Sequence, residues 1–328
     1  MITRREFGKL ALAAGIVRLK PDTTGEGATA EGAATEGAAT EGAAIDSAVN
    51  GVHLGVQTYS FRDLPRPAGA ADSVDVVIGA MTACGLTECE LFSPQIEPQF
   101  SAGRGQRGGP PSPEAVKARE DLRKWRLETP IDHFRAVKKK FDAAGITIYA
   151  FCHNMNTSFT DAEIDRGFEI AKALGAQVMT TSTTLEVARR IAPIADRHKM
   201  NIGMHGHSNV TDPNEFATPD SFAAAMNLSK YLKVNLDIGH FVSADFDPVA
   251  YIKAHHADIT NLHVKDRKKH QGDNTPWGEG DTPIREVLQL LKKERWPIPA
   301  YIEYEYRGAG TPVEEVKKCF EFEKRALA

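Results

Sequence analysis

A single-domain (β/α)8 barrel is the fold this sequence predicts, and three observations predict it. Eight short apolar runs alternate with longer amphipathic stretches from residue 52 onward. Eight such units fit the length that remains after the first fifty residues. The first run, "HLGVQTYS" at 53–60, lacks the Gly-rich phosphate loop that a doubly wound sheet would carry after its first strand.

The remaining runs follow in order: "TECELF" (87–92), "GITIYAFCH" (145–153), "AQVMTTS" (176–182), "NIGMHGH" (201–207), "LKVNLDIGH" (232–240), "ITNLHVK" (259–265) and "PAYIEYEY" (299–306). Each is short and rich in β-branched or aromatic residues, as strands are. Helical stretches lie between them, among them "DSVDVVIGAMTACG", "PIDHFRAVKKKFDAAG", "TDAEIDRGFEIAKALG" and "LEVARRIAPIADRHK". Several end in Gly, the usual residue just past a helix C-terminus. A Gly/Pro-rich insertion, "SAGRGQRGGPPSP" at 101–113, follows the second run and falls on the active-site side of a barrel.

The first fifty residues are different in kind. "TRREFGK" at 3–9 resembles a twin-arginine export signal, and an apolar run, "LALAAGIV", follows at 10–17. Residues 1–19 read as a targeting segment, and the run is too short to span a bilayer as a helix. The repeat "EGATAEGAATEGAATEGAA" then supplies little apolar surface, so 20–50 reads as a disordered linker. The barrel occupies 51–328. An exported protein of the periplasm or cell envelope is expected, handled by the twin-arginine machinery and without a stable membrane span.

The net charge of −4 over 328 residues carries no basic excess, so nucleic acid is not the expected partner. The four cysteines show neither metal-knuckle spacing nor the density of a disulfide scaffold and read as buried thiols.

Side chains alternate along a strand, so each run divides into two faces. Ile202 and Met204 oppose His205 and His207. Leu236 and Ile238 oppose Asn235 and Asp237. Leu262 and Val264 oppose His263 and Lys265, and Ile302 and Tyr304 oppose Glu303 and Glu305. The apolar set can pack on the helices, and the polar set then points into the barrel near the strands' C-terminal ends. A buried carboxylate such as Asp237 needs a partner or a metal. His205, Asp237, His263 and Glu303 therefore form a candidate metal set from four consecutive strands. Two imidazoles with two carboxylates suit one divalent ion such as Mn²⁺, Zn²⁺, Co²⁺ or Fe²⁺; Mg²⁺ favours all-oxygen sites.

With these motifs in view, residues 52–326 resemble the sugar phosphate isomerase/epimerase superfamily, the xylose-isomerase-like TIM barrels. The marks are "GVQTYSFR", "GHS" at 206–208, "LDIGH", "LHVKDR", "WGEGDTPI" at 277–284 and "YIEYE". "LRKWRLETP" at 122–130 resembles a hallmark of one bacterial subgroup that carries twin-arginine signals. The resemblance implies metal ligands at Asp237, His263 and Glu303, with His205 where ketose epimerases carry a Glu. It also implies a small-molecule carbohydrate substrate and admits a homodimer.

The chemistry that follows is proton abstraction next to a sugar carbonyl through a metal-stabilised enediolate. Glu303 and His207 are the candidate bases, with His240 next. Lys265 can meet a developing oxyanion. Gln57, Tyr59, His153 and Arg267 are candidate hydroxyl binders, joined by Glu90 at the end of the second run. Isomerase or epimerase chemistry is the first expectation. The alternative is a 3-keto-glycoside 1,2-lyase, in which the same deprotonation expels the aglycone and one base suffices. A non-catalytic sugar-binding barrel is a further alternative. Endonuclease-IV-type DNA repair is disfavoured, because "GDNTPWGEG" replaces the additional ligands that three zinc ions would need.

Overall fold

The structure is a computed structural model and describes residues 46–100 and 112–328. The twin-arginine-like segment, the linker up to residue 45 and positions 101–111 of the insertion lie outside the described residues. Eight parallel strands close into a ring: β1 (Leu54–Gln57), β2 (Glu88–Phe92), β3 (Thr147–Cys152), β4 (Val178–Thr181), β5 (Ile202–His205), β6 (Leu232–Asp237), β7 (Ile259–Val264) and β10 (Ala300–Ile302). Each expected run contains one of them. Closure comes from β10 lying beside β1, with Leu54 opposite Ala300 and Val56 opposite Ile302. Between β7 and β10 an antiparallel ribbon forms from β8 (Asp266–Arg267) and β9 (Asn274–Thr275).

The helices that flank the ring include α1 (Val74–Cys84), α2 (Pro113–Glu128), α3 (Ile131–Ala143), α4 (Asp161–Ala173), α5 (Leu185–His198), α6 (Pro219–Met226), α7 (Ile238–Ser243), α8 (Pro248–His255), α9 (Ile284–Glu294) and α10 (Pro312–Leu327). Their starts are written locally. Thr160 with Glu163 and Thr311 with Glu314 form reciprocal capping boxes at α4 and α10. Among the described residues no helix is long and apolar enough to cross a membrane. The four cysteines are free and buried.

"LRKWRLETP" spans the end of α2 and binds it to its neighbours. Arg126 grips Glu97 with two bonds of 2.8 and 3.0 Å, and Arg123 Nε donates to Glu163 Oε2 at 2.8 Å. The stretch read as linker stops short of residue 50, because Ser47 is buried and its Oγ donates to the Leu54 carbonyl at 2.6 Å.

Leu54, Val56, Leu91, Met204, Leu262 and Ile302 face the helices and form the core with them. The inner faces hold the polar residues. Two register shifts break the period of two, one between Cys89 and Glu90 against β3, one between Val234 and Asn235 against β7. Tyr149 and Thr260 are the extra residues, and Tyr149 Oη donates to the Thr260 carbonyl at 2.9 Å across the barrel. Bulges of this kind re-aim the side chains that follow them; here those include Asn261 and His263.

The N-terminal end of the barrel is filled by aromatic rings. Tyr149 and Tyr301 meet edge-to-face at 6.0 Å, and Tyr301 Oη donates to Glu88 at 2.8 Å. Gly55 leaves room for the Tyr301 ring: a Cβ there would lie 2.3 Å from the Glu88 carbonyl and 2.7 Å from Tyr301 Cε1. Gly55→Ala should therefore lower stability by about 1–3 kcal/mol through overpacking, read as a reduced denaturant midpoint; an unchanged midpoint would mean that this floor can shift.

Candidate active site

The motif "LDIGH" turns a strand into a binding wall. β6 ends at Asp237 because its Oδ1 accepts from the His240 backbone N–H at 2.6 Å and caps the short α7. That leaves Oδ2 turned to the barrel axis. Gly239 lets Lys265 pass: a Cβ there would lie 2.4 Å from Lys265 Cγ. The "WGEGDTPI" loop is anchored in a similar way. Asp266 accepts from the backbone N–H groups of Gly278, Gly280 and Thr282 at 2.8, 2.9 and 3.1 Å. This holds the β8–β9 ribbon and with it Arg267.

His205, Asp237, His263 and Glu303 converge at the C-terminal mouth. One ligand atom from each lies within 4.8 Å of the others, and all four residues are buried. Four atoms of this set have no hydrogen-bond partner: His205 Nδ1, Asp237 Oδ2, His263 Nδ1 and Glu303 Oε2. Asp237 Oδ2 and Glu303 Oε2 still pair in charge with Lys265 Nζ at 3.0 and 2.7 Å, and the four atoms together form a group that could hold a metal ion. The donor set, two nitrogens and two oxygens, fits a divalent transition ion or zinc.

Lys265 reaches into the same point. Its Nζ lies 2.5 Å from Glu305, 2.7 Å from Glu303 and 3.0 Å from Asp237. Only the Glu305 contact has hydrogen-bond geometry. Burial lowers the lysine pKa, but the three carboxylates outweigh it and hold the ammonium charged well above its ordinary range. Glu303 is disfavoured by burial too, yet Lys265 and His263 keep its carboxyl well below the usual range. Asp237 differs: burial, with Glu303 adding, pushes it up to about 7 against the pull of Lys265. The two partners of this pair therefore point different ways. The distances resolve it, since the ammonium sits nearer both glutamates and leaves Asp237 the least compensated acid.

Three imidazoles form the opposite wall. His205 and His207 meet at 5.0 Å and His207 and His240 at 5.3 Å, all edge-to-face. Burial lowers the pKa of all three, followed by neighbouring cations, and keeps them neutral. Arg267 Nη1 lies 2.6 Å from His240 Nδ1. A guanidinium only donates, so Nδ1 accepts and the His240 proton sits on Nε2. Although His205, His207 and His240 also have metal-set spacing, this bond makes His240 a hydrogen-bond donor. His207 Nε2 shares a 3.0 Å hydrogen bond with Ser182 Oγ.

The cavity over these groups has a volume of ≈ 180 Å³. Gln57, Tyr59, His205, His207, His240, His263, Lys265 and Glu303 line it. Three expected hydroxyl binders are placed differently. His153 is turned outward, stacked on Phe151 and edge-on to Phe159, beside Gly167. It shares the parity of Phe151, so it faces the helices while Cys152 and Asn154 reach the cavity. Glu90 is enclosed beneath the site and accepts bonds from five protein groups, among them Gln57 and His263. Arg267 stands behind His240 and does not line the cavity. Glu305 and Ser182 line it and were not among the expected site residues; the parity they share with Glu303 and Thr180 is the signal that marks them.

A fold and site of this kind define a barrel enzyme scaffold with its chemistry at the strands' C-terminal ends. The chain belongs to the Xylose isomerase-like TIM barrel family, whose model matches residues 110–325. A stretch of 172 residues, 50% of this chain, is 26% identical to L-ribulose-5-phosphate 3-epimerase UlaE of Escherichia coli, and the match spans 60% of that protein's length. Among solved structures, a sugar phosphate isomerase/epimerase from Parabacteroides distasonis is similar at TM-score 0.55 and 18% identity, covering 87% of this chain and 98% of that one. The 3-keto-D-glucoside 4-epimerase YcjR from E. coli is similar at TM-score 0.55 and 10% identity, covering 84% and 99%. At such identities these two structures speak for the fold alone.

Lys265→Met would leave three carboxylates facing one another without their cation. The metal-free protein should lose about 3–5 kcal/mol, the cost of breaking a buried charge pair, and added Mn²⁺ should restore part of it. Thermal melts with a chelator and with Mn²⁺ test this; equal melts for variant and wild type would show that Lys265 does not balance these charges.

Proposed function

We propose that this chain is a divalent-metal-dependent sugar isomerase or epimerase that removes a proton next to a carbohydrate carbonyl. The observation that carries this reading is the convergence of two imidazole nitrogens and two carboxylate oxygens, all from buried residues, at the barrel mouth. His205, Asp237, His263 and Glu303 would hold the ion. When bound, it supplies Lewis acidity toward a carbonyl and its neighbouring hydroxyl.

The chain's own residues supply the rest. Glu303 keeps a second carboxylate oxygen with which to take the α-proton. His207, neutral because it is buried, can accept or return a proton from its own wall. His240, donating from Nε2, meets a substrate oxygen on which charge develops, and Lys265 adds a fixed positive charge. Gln57 and Tyr59 bind hydroxyls, and Arg267 serves by holding His240 in its donor tautomer. The 26% match to a ribulose-phosphate epimerase supports sugar chemistry at a site of this kind.

One observation favours a second reading, a 3-keto-glycoside 1,2-lyase. His205 stands where the resemblance to ketose epimerases calls for a second carboxylate, and elimination needs one base only. Export through the twin-arginine route belongs to the same proposal, since glycosides are met outside the cytoplasm.

Proton NMR in D₂O separates the chemistries. The protein is loaded with Zn²⁺ or Mg²⁺ and mixed with free ketoses and, separately, with a 3-keto-glucoside. Deuterium entering beside a ketose carbonyl, followed by a new sugar, is the expected result. Aglycone release without ketose exchange would replace the isomerase reading with the lyase, and inertness toward both would sink the enzyme reading. For export, replacing Arg4 and Arg5 by Lys should trap the protein in the cytoplasm; unchanged envelope localisation would remove the twin-arginine reading.

A further inference from the structure

We infer that Glu90 is a positioning residue that presents His263 to the metal through Nδ1. This inference rests on the metal reading above.

Glu90 is fully enclosed, one layer below the candidate ligands. Its Oε1 accepts from Gln57 Nε2 and Thr180 Oγ1, both at 2.6 Å. Its Oε2 accepts from Asn261 Nδ2 at 2.6 Å, His263 Nε2 at 2.9 Å and Asn235 Nδ2 at 3.1 Å. Five donors exceed the roughly four acceptor directions of a carboxylate. Nothing is left over for a substrate, and the carboxylate cannot turn without abandoning several strong bonds.

The consequence falls on one imidazole. Two groups lie at His263 Nε2: the Glu90 carboxylate, which only accepts, and the Asn235 amide nitrogen 3.1 Å away, which only donates. Because the carboxylate can only accept, the shorter bond of 2.9 Å between Glu90 and His263 needs the proton on Nε2, and the Asn235 amide donates to Glu90. Nδ1 is then the atom left to bind a cation. It is the orphaned one, 3.2 Å from Glu303 Oε2. A hydrogen bond on the far nitrogen fixes both the ring orientation and the donor atom of a ligating histidine. His205 has no comparable carboxylate among the described residues, so the two imidazoles of the set are held unequally.

Competition with a chromophoric chelator measures the Zn²⁺ affinity of three proteins. Glu90→Gln removes the negative charge and turns one acceptor oxygen into an NH2 facing donors, and it should weaken binding about 10–100-fold, the usual cost of losing such an outer partner. Thr180→Val removes a donor to the other oxygen and touches no ligand. It should lower the melting temperature and leave Zn²⁺ affinity unchanged. Equal affinities for Glu90→Gln and wild type overturn the inference, as do equal losses in both variants, which would mark Glu90 as merely structural. If Glu90→Gln does not fold, the wild type decides. Long-range ¹H–¹⁵N correlations of the Zn²⁺-loaded protein should show zinc on His263 Nδ1 and a protected proton on Nε2; the opposite tautomer overturns the inference. A wild type that takes up no divalent ion is a different failure, that of the metal reading itself.

Discussion

A carboxylate with no exposure, in the middle of a barrel, organises this protein. Glu90, on β2, draws hydrogen bonds from β1, from β4 and β6 across the ring, and from two positions of β7. Each donor answers a charge that would otherwise be prohibitively costly to bury. The strands are thereby tied at their centres as well as at their edges. Below this layer the interior is aromatic; above it the interior is ionic. The candidate site stands on Glu90 as on a foundation.

The upper layer is a second solution to the same electrostatic problem. Asp237, Glu303 and Glu305 cannot crowd together unaided, and Lys265 lies among them at 2.5–3.0 Å. Burial disfavours a charged His263 imidazole, but Glu90 and Glu303 hold its pKa well above the ordinary value, so it shares that balancing role, and a bound ion would add to it. The facing imidazoles are neutral and so do not oppose it. Charge here is therefore arranged in two walls, one acidic and partly balanced, one aromatic and donor-rich.

Much of this was legible in the sequence because a strand has a period of two. The eight runs, the inward set His205, Asp237, His263, Lys265 and Glu303, and the outward apolar set all follow from parity. Parity reports which face a side chain takes; it is silent on depth and on what happens after the strand ends. Glu90 has the inward parity of a site residue but sits one layer too low. His153 lies one position past the end of β3, on the face of Phe151, and turns to the helices. Arg267 belongs to a ribbon whose placement depends on Asp266 gathering three distant N–H groups, a contact no spacing announces. The two register shifts are equally invisible, since Tyr149 and Thr260 are ordinary strand residues.

The aromatic floor has a kinetic meaning. Tyr149 and Tyr301 pack across the N-terminal end, so among the described residues the cavity lies on the C-terminal side of that floor. From that side, whatever enters last would leave first. An ion seated on the four deep atoms would lie behind any sugar in the cavity above it, so the ion would arrive before the sugar and outlast it. Turnover would then proceed with the ion as a resident and the sugar as a visitor. Chelation would be slow while the cavity is filled and fast when it is empty.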